Sequence, residues 1–252
     1  MLINDATPND VLYPKSLGRG RDLMGRAPGE LAAMADPFPA GWLVPRSEWQ
    51  ARIAERQQQG IGLKKFLLDR GIAVLNQAQT NFCWANAPTF ALMAVRAVQN
   101  QAPVRLSPAS VAAPLTNYRN VGGWGKDALQ RISDVGAVPQ SIWPANSINR
   151  GYDKPEVWAA AKKYRVPRWL ACEDRNLDQL VSLILRGYPV PVGYNWWSHE
   201  VCAVDLGWRD GEPTLIIANS WDVTWGDQGF GEIQGSRMLP DDAVCPITAR
   251  AA

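Results

Sequence analysis

The sequence predicts an α+β chain, with helices in its front part and strands in its back part. Three observations carry that expectation. After Cys83, apolar residues recur at helical spacing as Trp84, Ala87, Ala91, Ala94, Val95 and Val98. From Val190 onward, short strand-like runs replace that period. Between two of those runs lies Asp210-Gly211, a pair suited to a tight β-hairpin. A chain of 252 residues is long enough for one large domain, or for two halves sharing a cleft.

In chain order, residues 1 to about 45 hold Pro8, Pro14, Pro28, Pro37, Pro39 and many glycines, with no sustained period. They read as an irregular segment that is mobile unless it docks. Lys15, Arg19, Arg21 and Arg26 make this arm basic, which suits a solvated arm or an anionic contact. A helix is expected from Ser47, as its cap, to about Gln59, with Gly60 as its stop. Residues 62–76 read as extended, ending in Ile72-Ala73-Val74-Leu75. The helix after Cys83 carries Pro88, which predicts a kink or a late start. Further helices are expected at 125–135, at 155–163 and from Asp174 to Arg186. Strands are expected at Val190–Trp196, Val201–Trp208, Thr214–Ala218 and Gly229–Ile233.

The composition narrows the chemistry. An apolar fraction of 46% and a charged fraction of 20% are those of an ordinary globular chain, not of a disordered or fibrous one. A net charge of +2 is too near balance to imply nucleic acid. No apolar run is long enough to span a bilayer, and the start lacks the basic stretch and apolar core of a secretory signal. His199 is the single histidine, so any imidazole chemistry falls to it and a His-rich metal site is excluded. Cys83, Cys172, Cys202 and Cys245 show no C-x-x-C spacing and read as reduced thiols. The 12 tryptophans exceed normal usage and point to large aromatic surfaces in the packing or in a cleft.

The chemistry concentrates in four places. Cys83 opens a predicted helix, where the dipole and free N–H groups favour a thiolate. By itself such a cysteine is more often a packing residue than a catalytic one; its partners raise it to a nucleophile. His199 begins a strand-like run and is the natural base. Asn219 follows an apolar strand, in Asn219-Ser220-Trp221, and is either a turn residue or the acceptor that fixes the imidazole tautomer. Gln77, six residues before Cys83, has a side-chain amide that could donate to an oxyanion together with the Cys83 backbone N–H.

In identity, order and approximate spacing, Gln77, Cys83-Trp84, His199 and Asn219-Ser220-Trp221 resemble the papain family of cysteine peptidases. Trp225-Gly226-Asp227-Gln228-Gly229 is similar to the family's Trp-Gly-x-x-Gly tail, and Gly122-Gly123-Trp124 to the segment lining its substrate cleft. The resemblance covers about residues 65–235. Thr80 stands where the family has a cysteine, and Asn81-Phe82 where it has Gly-Ser, so the family's disulfide framework is missing. The stretch from Val190 to His199 is short for the family, which implies a pared-down cleft wall.

The resemblance implies a papain-like α+β fold in which a helical half (65–165) carries Cys83 and a strand-rich, barrel-like half (166–252) carries His199 and Asn219, with the cleft between them. Residues 1–64 do not match the family's inhibitory propeptide; they are expected to be an extension, a different prosegment or a docking arm. The implied activity is peptide-bond hydrolysis through a Cys83–His199 thiolate–imidazolium pair and a thioester, on a peptide or protein substrate. No metal or organic cofactor is implied. Trp221 is expected to shield the His199–Asn219 hydrogen bond, and Trp225 to line the leaving-group side. Glu200, next to the histidine, is expected to floor the pocket for the second side chain before the scissile bond, to pair with a nearby Arg or Lys, or to turn to solvent where the shortened wall opens the cleft. In the first case the pocket favours a basic side chain, with Trp124 stacked on it. Other classes in keeping with these residues are an amidase or transpeptidase on cell-wall peptides, and a silent virion-associated or structural protein. The missing signal and disulfides suggest an intracellular, delivered or virion setting.

Overall fold

A long helix, α4 in chain order (Cys83–Val98), is buried on every residue but the last and forms the axis of the helical half. A helix apolar all round must be covered all round. The computed structural model of the chain describes residues 1–13, 17–23 and 35–250. Among the described residues, α1 (Asn9–Leu12), α2 (Arg46–Gln58) and α3 (Leu63–Asp69) precede α4. After it come α5 (Pro108–Leu115), α6 (Gly125–Asp134), α7 (Pro155–Ala161) and α8 (Leu177–Leu185).

The strand-rich half is one eight-stranded sheet. Its members are β1 (Leu2–Ile3), β2 (Asp36–Pro37), β5 (Arg168–Ala171), β6 (Val190–Tyr194), β7 (His199–Arg209), β8 (Glu212–Ala218), β9 (Phe230–Gln234) and β10 (Asp242–Thr248). They lie in the order β1-β9-β8-β7-β6-β10-β5-β2. A small ladder of β3 (Leu106–Ser107) and β4 (Val138–Pro139) sits in the helical half. The mixed α+β architecture is the one expected. The Asp210-Gly211 hairpin joins β7 to β8, with φ of 53° and 81° at its two central residues, the left-handed pair a tight turn requires.

Several elements differ from expectation for local reasons. Residues 63–69 are helical, not extended: Leu63 and Leu67, one turn apart, both point into the core. The α2 helix starts at Arg46 after Pro45, with no Ser47 side-chain cap. The α4 helix starts at Cys83, not after Pro88; Pro88 lacks only the N–H that would reach Trp84. The α5 helix is masked in the sequence by Pro108 and Pro114, yet Pro108 takes the first turn and the Ser107 hydroxyl accepts from the Ser110 N–H at 3.3 Å. The α8 helix starts at Leu177, because the Asn176 side chain caps the Gln179 N–H at 3.0 Å.

The first residues are part of the sheet rather than a free arm. β1 pairs parallel to β9 at one edge, and β2 pairs parallel to β5 at the other. Arg21 is buried, against the expectation of a solvated basic arm. Of the other basic residues noted there, Lys15 and Arg26 lie outside the described residues, as do Pro14 and Pro28. All four cysteines are free and buried.

Candidate active site

Cys83 is the first residue of α4, and His199 is the first residue of β7. Between the short turn Asn195–Trp197 and β7, Ser198 takes a left-handed conformation (φ 49°) that swings the chain into the strand. Asn219 ends β8, the neighbour of β7. The His199 Nε2 lies 2.8 Å from the Asn219 Oδ1. That oxygen also accepts the Ser220 backbone N–H at 2.8 Å, so it is the acceptor and Nε2 carries the proton. The Nδ1 is left as the basic nitrogen, and it makes no hydrogen bond among the described residues. The Trp221 ring covers the imidazole at 4.5 Å between centroids, and Trp197 meets it edge-on at 5.0 Å. Trp221 therefore sits where shielding of the His199–Asn219 bond was expected. Trp225 packs on Trp221 and Trp197, at 6.1 and 6.5 Å.

Gln77 is fully buried. Its Oε1 accepts from the Ser220 hydroxyl at 2.5 Å, which aims its Nε2 at the Thr80 carbonyl (2.8 Å) and at the Gly18 carbonyl (2.9 Å). The backbone amides of Glu200, Gly20 and Trp84 face the Cys83 sulfur. The Glu200 amide places the thiol beside the start of β7, where His199 stands.

The cleft holds a strand of the chain itself. Gly18 N–H donates to the Ala78 carbonyl (2.9 Å), and the Gly18 carbonyl also accepts from Trp221 Nε1 (3.0 Å). Arg21 N–H donates to the Ser198 carbonyl (3.3 Å). Gly123 N–H donates to the Gly20 carbonyl (2.8 Å), and Asp22 N–H donates to the Gly123 carbonyl (3.1 Å), forming a parallel bridge centred on Arg21. Only glycine fits at 18 and 20: a Cβ would stand 1.9 Å from the Thr80 carbonyl oxygen in one case and from the Asn81 carbonyl oxygen in the other. Gly122 is tight against the same strand, a Cβ there lying 2.6 Å from the Gly20 carbonyl oxygen.

Under this strand Cys83 and His199 are both fully buried. Burial pushes the Cys83 thiol up to about 12 and the His199 imidazole down to about 3. Burial in this closed arrangement thus disfavours the charged form of each group. Desolvation outweighs the helix dipole at Cys83.

Glu200 is buried beside Gly125, whose N–H it accepts at 3.0 Å. It follows His199 on β7 and faces an arginine, Arg21, with Nη1 at 3.8 Å, the pairing that was one of the alternatives for it. The same nitrogen is 2.5 Å from Asp242, while Arg21 Nε donates to the Asn195 Oδ1 at 2.7 Å. The guanidinium lies 4.6 Å from the Trp124 ring centre, the stacking anticipated for a basic side chain. Asn195 and Asp242 were not singled out from the sequence, and Arg21 only as one of the basic residues of the first segment.

A helical half and a strand-rich half meeting at a Cys–His–Asn–Gln seam is the papain-like architecture. Comparison with known proteins agrees with it. The profile of the papain family cysteine proteases matches residues 188–252. The chain is 26% identical over 203 residues to oryzain gamma chain of Oryza sativa subsp. japonica, covering 70% of this chain and 56% of that protein. It is 23% identical to a cathepsin L-like proteinase of Phaedon cochleariae, covering 72% of this chain and 61% of that one. The chain thus spans little more than half the length of such relatives. Among solved structures, digestive procathepsin L 3 of Tenebrio molitor superposes with a TM-score of 0.65 at 16% identity, over 96% of this chain and 78% of that one. Xylellain, a cysteine protease from Xylella fastidiosa, superposes with a TM-score of 0.62 at 16% identity, over 94% and 96%. The chain is thus similar in sequence to papain-like cysteine proteases and shares their fold.

Proposed function

We propose that the chain hydrolyses peptide bonds with Cys83 as nucleophile, and that residues 17–23 hold it closed by lying in its own cleft. The observation that carries the reading is the hydrogen-bonded His199–Asn219 pair under Trp221, which leaves Nδ1 without a hydrogen bond among the described residues. Once the strand leaves, water and substrate replace it. His199 Nδ1 then takes the Cys83 proton, and the thiolate attacks the carbonyl carbon. The oxyanion forms toward Gln77 Nε2 and the Cys83 N–H, donors preset by Ser220 and by the start of α4. The imidazolium returns its proton to the leaving amine, and water hydrolyses the thioester. Asn219 orients the ring throughout.

The resident strand is a poor substrate. It brings the Gly20 amide, rather than a carbonyl, to face the sulfur, and its Gly18 carbonyl takes the Gln77 donor. The test is labelling by a thiol-directed epoxide, together with cleavage of a peptide library, for the parent chain and for Arg21→Ala. Slow labelling of the parent, fast labelling of the variant and cleavage by the variant are expected. A variant that labels rapidly yet cleaves no peptide would remove the hydrolytic reading.

A further inference from the structure

The bond from His199 to Asn219 fixes one point of the imidazole, and a single hydrogen bond does not fix a plane. The plane is set by the rings against it, Trp221 over its face and Trp197 at 66° to it. Trp197 is completely buried. Trp196 stacks on it at 5.4 Å and 3°, and the Arg237 guanidinium lies 4.9 Å over the Trp196 ring. Arg237, Trp196, Trp197 and His199 thus form a continuous row. Residues 1–13 grip this row at three places. The Leu12 carbonyl accepts from Trp197 Nε1 at 2.8 Å, the Tyr13 hydroxyl donates to the Trp196 carbonyl, and the Thr7 carbonyl accepts from Arg237 Nη2 at 3.1 Å. The gripping segment is anchored away from the cleft. Leu2 and Ile3 pair with β9, the Asp5 Oδ1 accepts from the Ser236 hydroxyl at 2.7 Å, and Ile3 and Leu12 are buried. The strand over the cleft is bonded to other partners: Ala78, Ser198, Trp221 and Gly123. Its departure breaks none of the three grips.

Resting on the peptidase reading, we infer that Trp197 is a positioning residue for the histidine, and that residues 1–13 are a working part of the enzyme that holds Trp197 in place. They are distinct in this from residues 17–23, which close the cleft. An indole turns about two side-chain bonds, and its Nε1 bond to the Leu12 carbonyl restrains both. The ring so held restrains the imidazole in turn. It opposes a swing about the line from Nε2 to the Asn219 Oδ1, which the Asn219 bond by itself permits. That swing displaces Nδ1, the nitrogen left to take the Cys83 proton. Trp197 therefore acts through His199, and the first thirteen residues act through Trp197.

The test uses the full chain, in which His199 is the single histidine and gives the one imidazole N–H signal in a proton–nitrogen correlation spectrum. The readout is exchange of its Nε2 proton with water, compared with exchange of the backbone amides of β7. Trp197→Phe keeps a buried ring and removes the N–H. It should speed exchange of the Nε2 proton roughly tenfold, the scale of one lost hydrogen bond, with the β7 amides unchanged. Tyr13→Phe combined with Arg237→Ala removes two grips and leaves the Trp197 ring intact; it should speed the same exchange roughly threefold or more. Thermal melting reports that each variant is folded. A parent rate in folded Trp197→Phe overturns the positioning role. So does exchange that rises equally at the Nε2 proton and at the β7 amides, which marks general loosening. A parent rate in the double variant overturns the part given to residues 1–13. Turnover is followed separately in the opened Arg21→Ala chain. There Trp197→Phe should lower kcat roughly tenfold and keep KM within about twofold. A raised KM with kcat unchanged makes Trp197 a substrate contact and overturns the positioning role. An Arg21→Ala chain that cleaves no peptide fails the peptidase reading, while the exchange rates still decide what holds the histidine.

Discussion

Replacing Arg21 by alanine should convert the closed chain into an open one, and the contacts on the page set the size of the effect. The guanidinium makes a bond of 2.5 Å to Asp242 and one of 2.7 Å to Asn195, and it stacks 4.6 Å from Trp124. A hydrogen bond to a charged group contributes about 1.5–3 kcal/mol net. A desolvated cation–π contact adds roughly 0.5–2 kcal/mol. Against these stands the cost of taking the guanidinium and two acids out of water, several kcal/mol per ion on the order-of-magnitude scale. Loss of the Asp242 bond alone, about 1.5–3 kcal/mol, corresponds to roughly 10- to 100-fold in the open population. The alanine variant also leaves Glu200 and Asp242 facing each other across Gly193, which draws water between them and opposes reclosure. The assay is the second-order rate of alkylation of Cys83 by iodoacetamide near neutral pH, with Cys83→Ala identifying the signal from the other three buried thiols. A rise of roughly 10- to 100-fold is expected, with peptide hydrolysis rising in parallel. A folded Arg21→Ala chain labelled at the parent rate would refute the closed-cleft reasoning. Deleting residues 1–45 is a poorer test, because it also removes β1 and β2 from the two edges of the sheet.

Gly20→Ala should open the cleft without touching the ion pair, since its Cβ would lie 1.9 Å from backbone at Asn81; alkylation of Cys83 should accelerate, and an unchanged rate would mean the strand shifts at no cost. In the opened chain, Cys83→Ala and His199→Ala should each remove essentially all hydrolysis with the melting curve retained. Asn219→Ala, which loses ring orientation only, should be milder, and Gln77→Ala should lower kcat more than it raises KM. Alkaline pH should destabilise the folded chain. Cys83 and Cys172 are pushed up to about 12 by burial, and Cys202 and Cys245 are also raised well above their ordinary value. Below the ordinary value of 9.0 both folded and unfolded thiols are neutral and the contribution is intact. Above it the unfolded chain releases protons that the folded chain keeps, so stability falls by up to about 1.4 kcal/mol per pH unit for each thiol. Thermal melts between pH 8 and about 11 should show this decline, shallower in Cys83→Ser, and a Tm independent of pH there would contradict it.

The residues proposed for the reaction were legible in the sequence through their order and spacing, which resemble those of the papain family, more than through any one of them. A cysteine opening a helix, a single histidine, an asparagine at a strand end and a glutamine six positions before the nucleophile keep their meaning without a fold. The helical front, the strand-rich back and the Asp210-Gly211 turn were legible because period and turn chemistry are short-range. Helix α3 was not, because seven residues are too few for a period to stand out, and its identity rests on Leu63 and Leu67 meeting the core. Tertiary structure alone decided what fills the cleft. Arg21 lies 179 positions before Glu200 and 221 before Asp242, and no local pattern links them. Their meeting depends on strand register, which sets Asp242 and Glu200 on either side of Gly193, and on two glycines that let the first strand of backbone pass over the nucleophile. The shifts at Cys83 and His199 follow from that same burial. The helix start by itself favours a thiolate, and only the strand lying across it makes desolvation the larger effect.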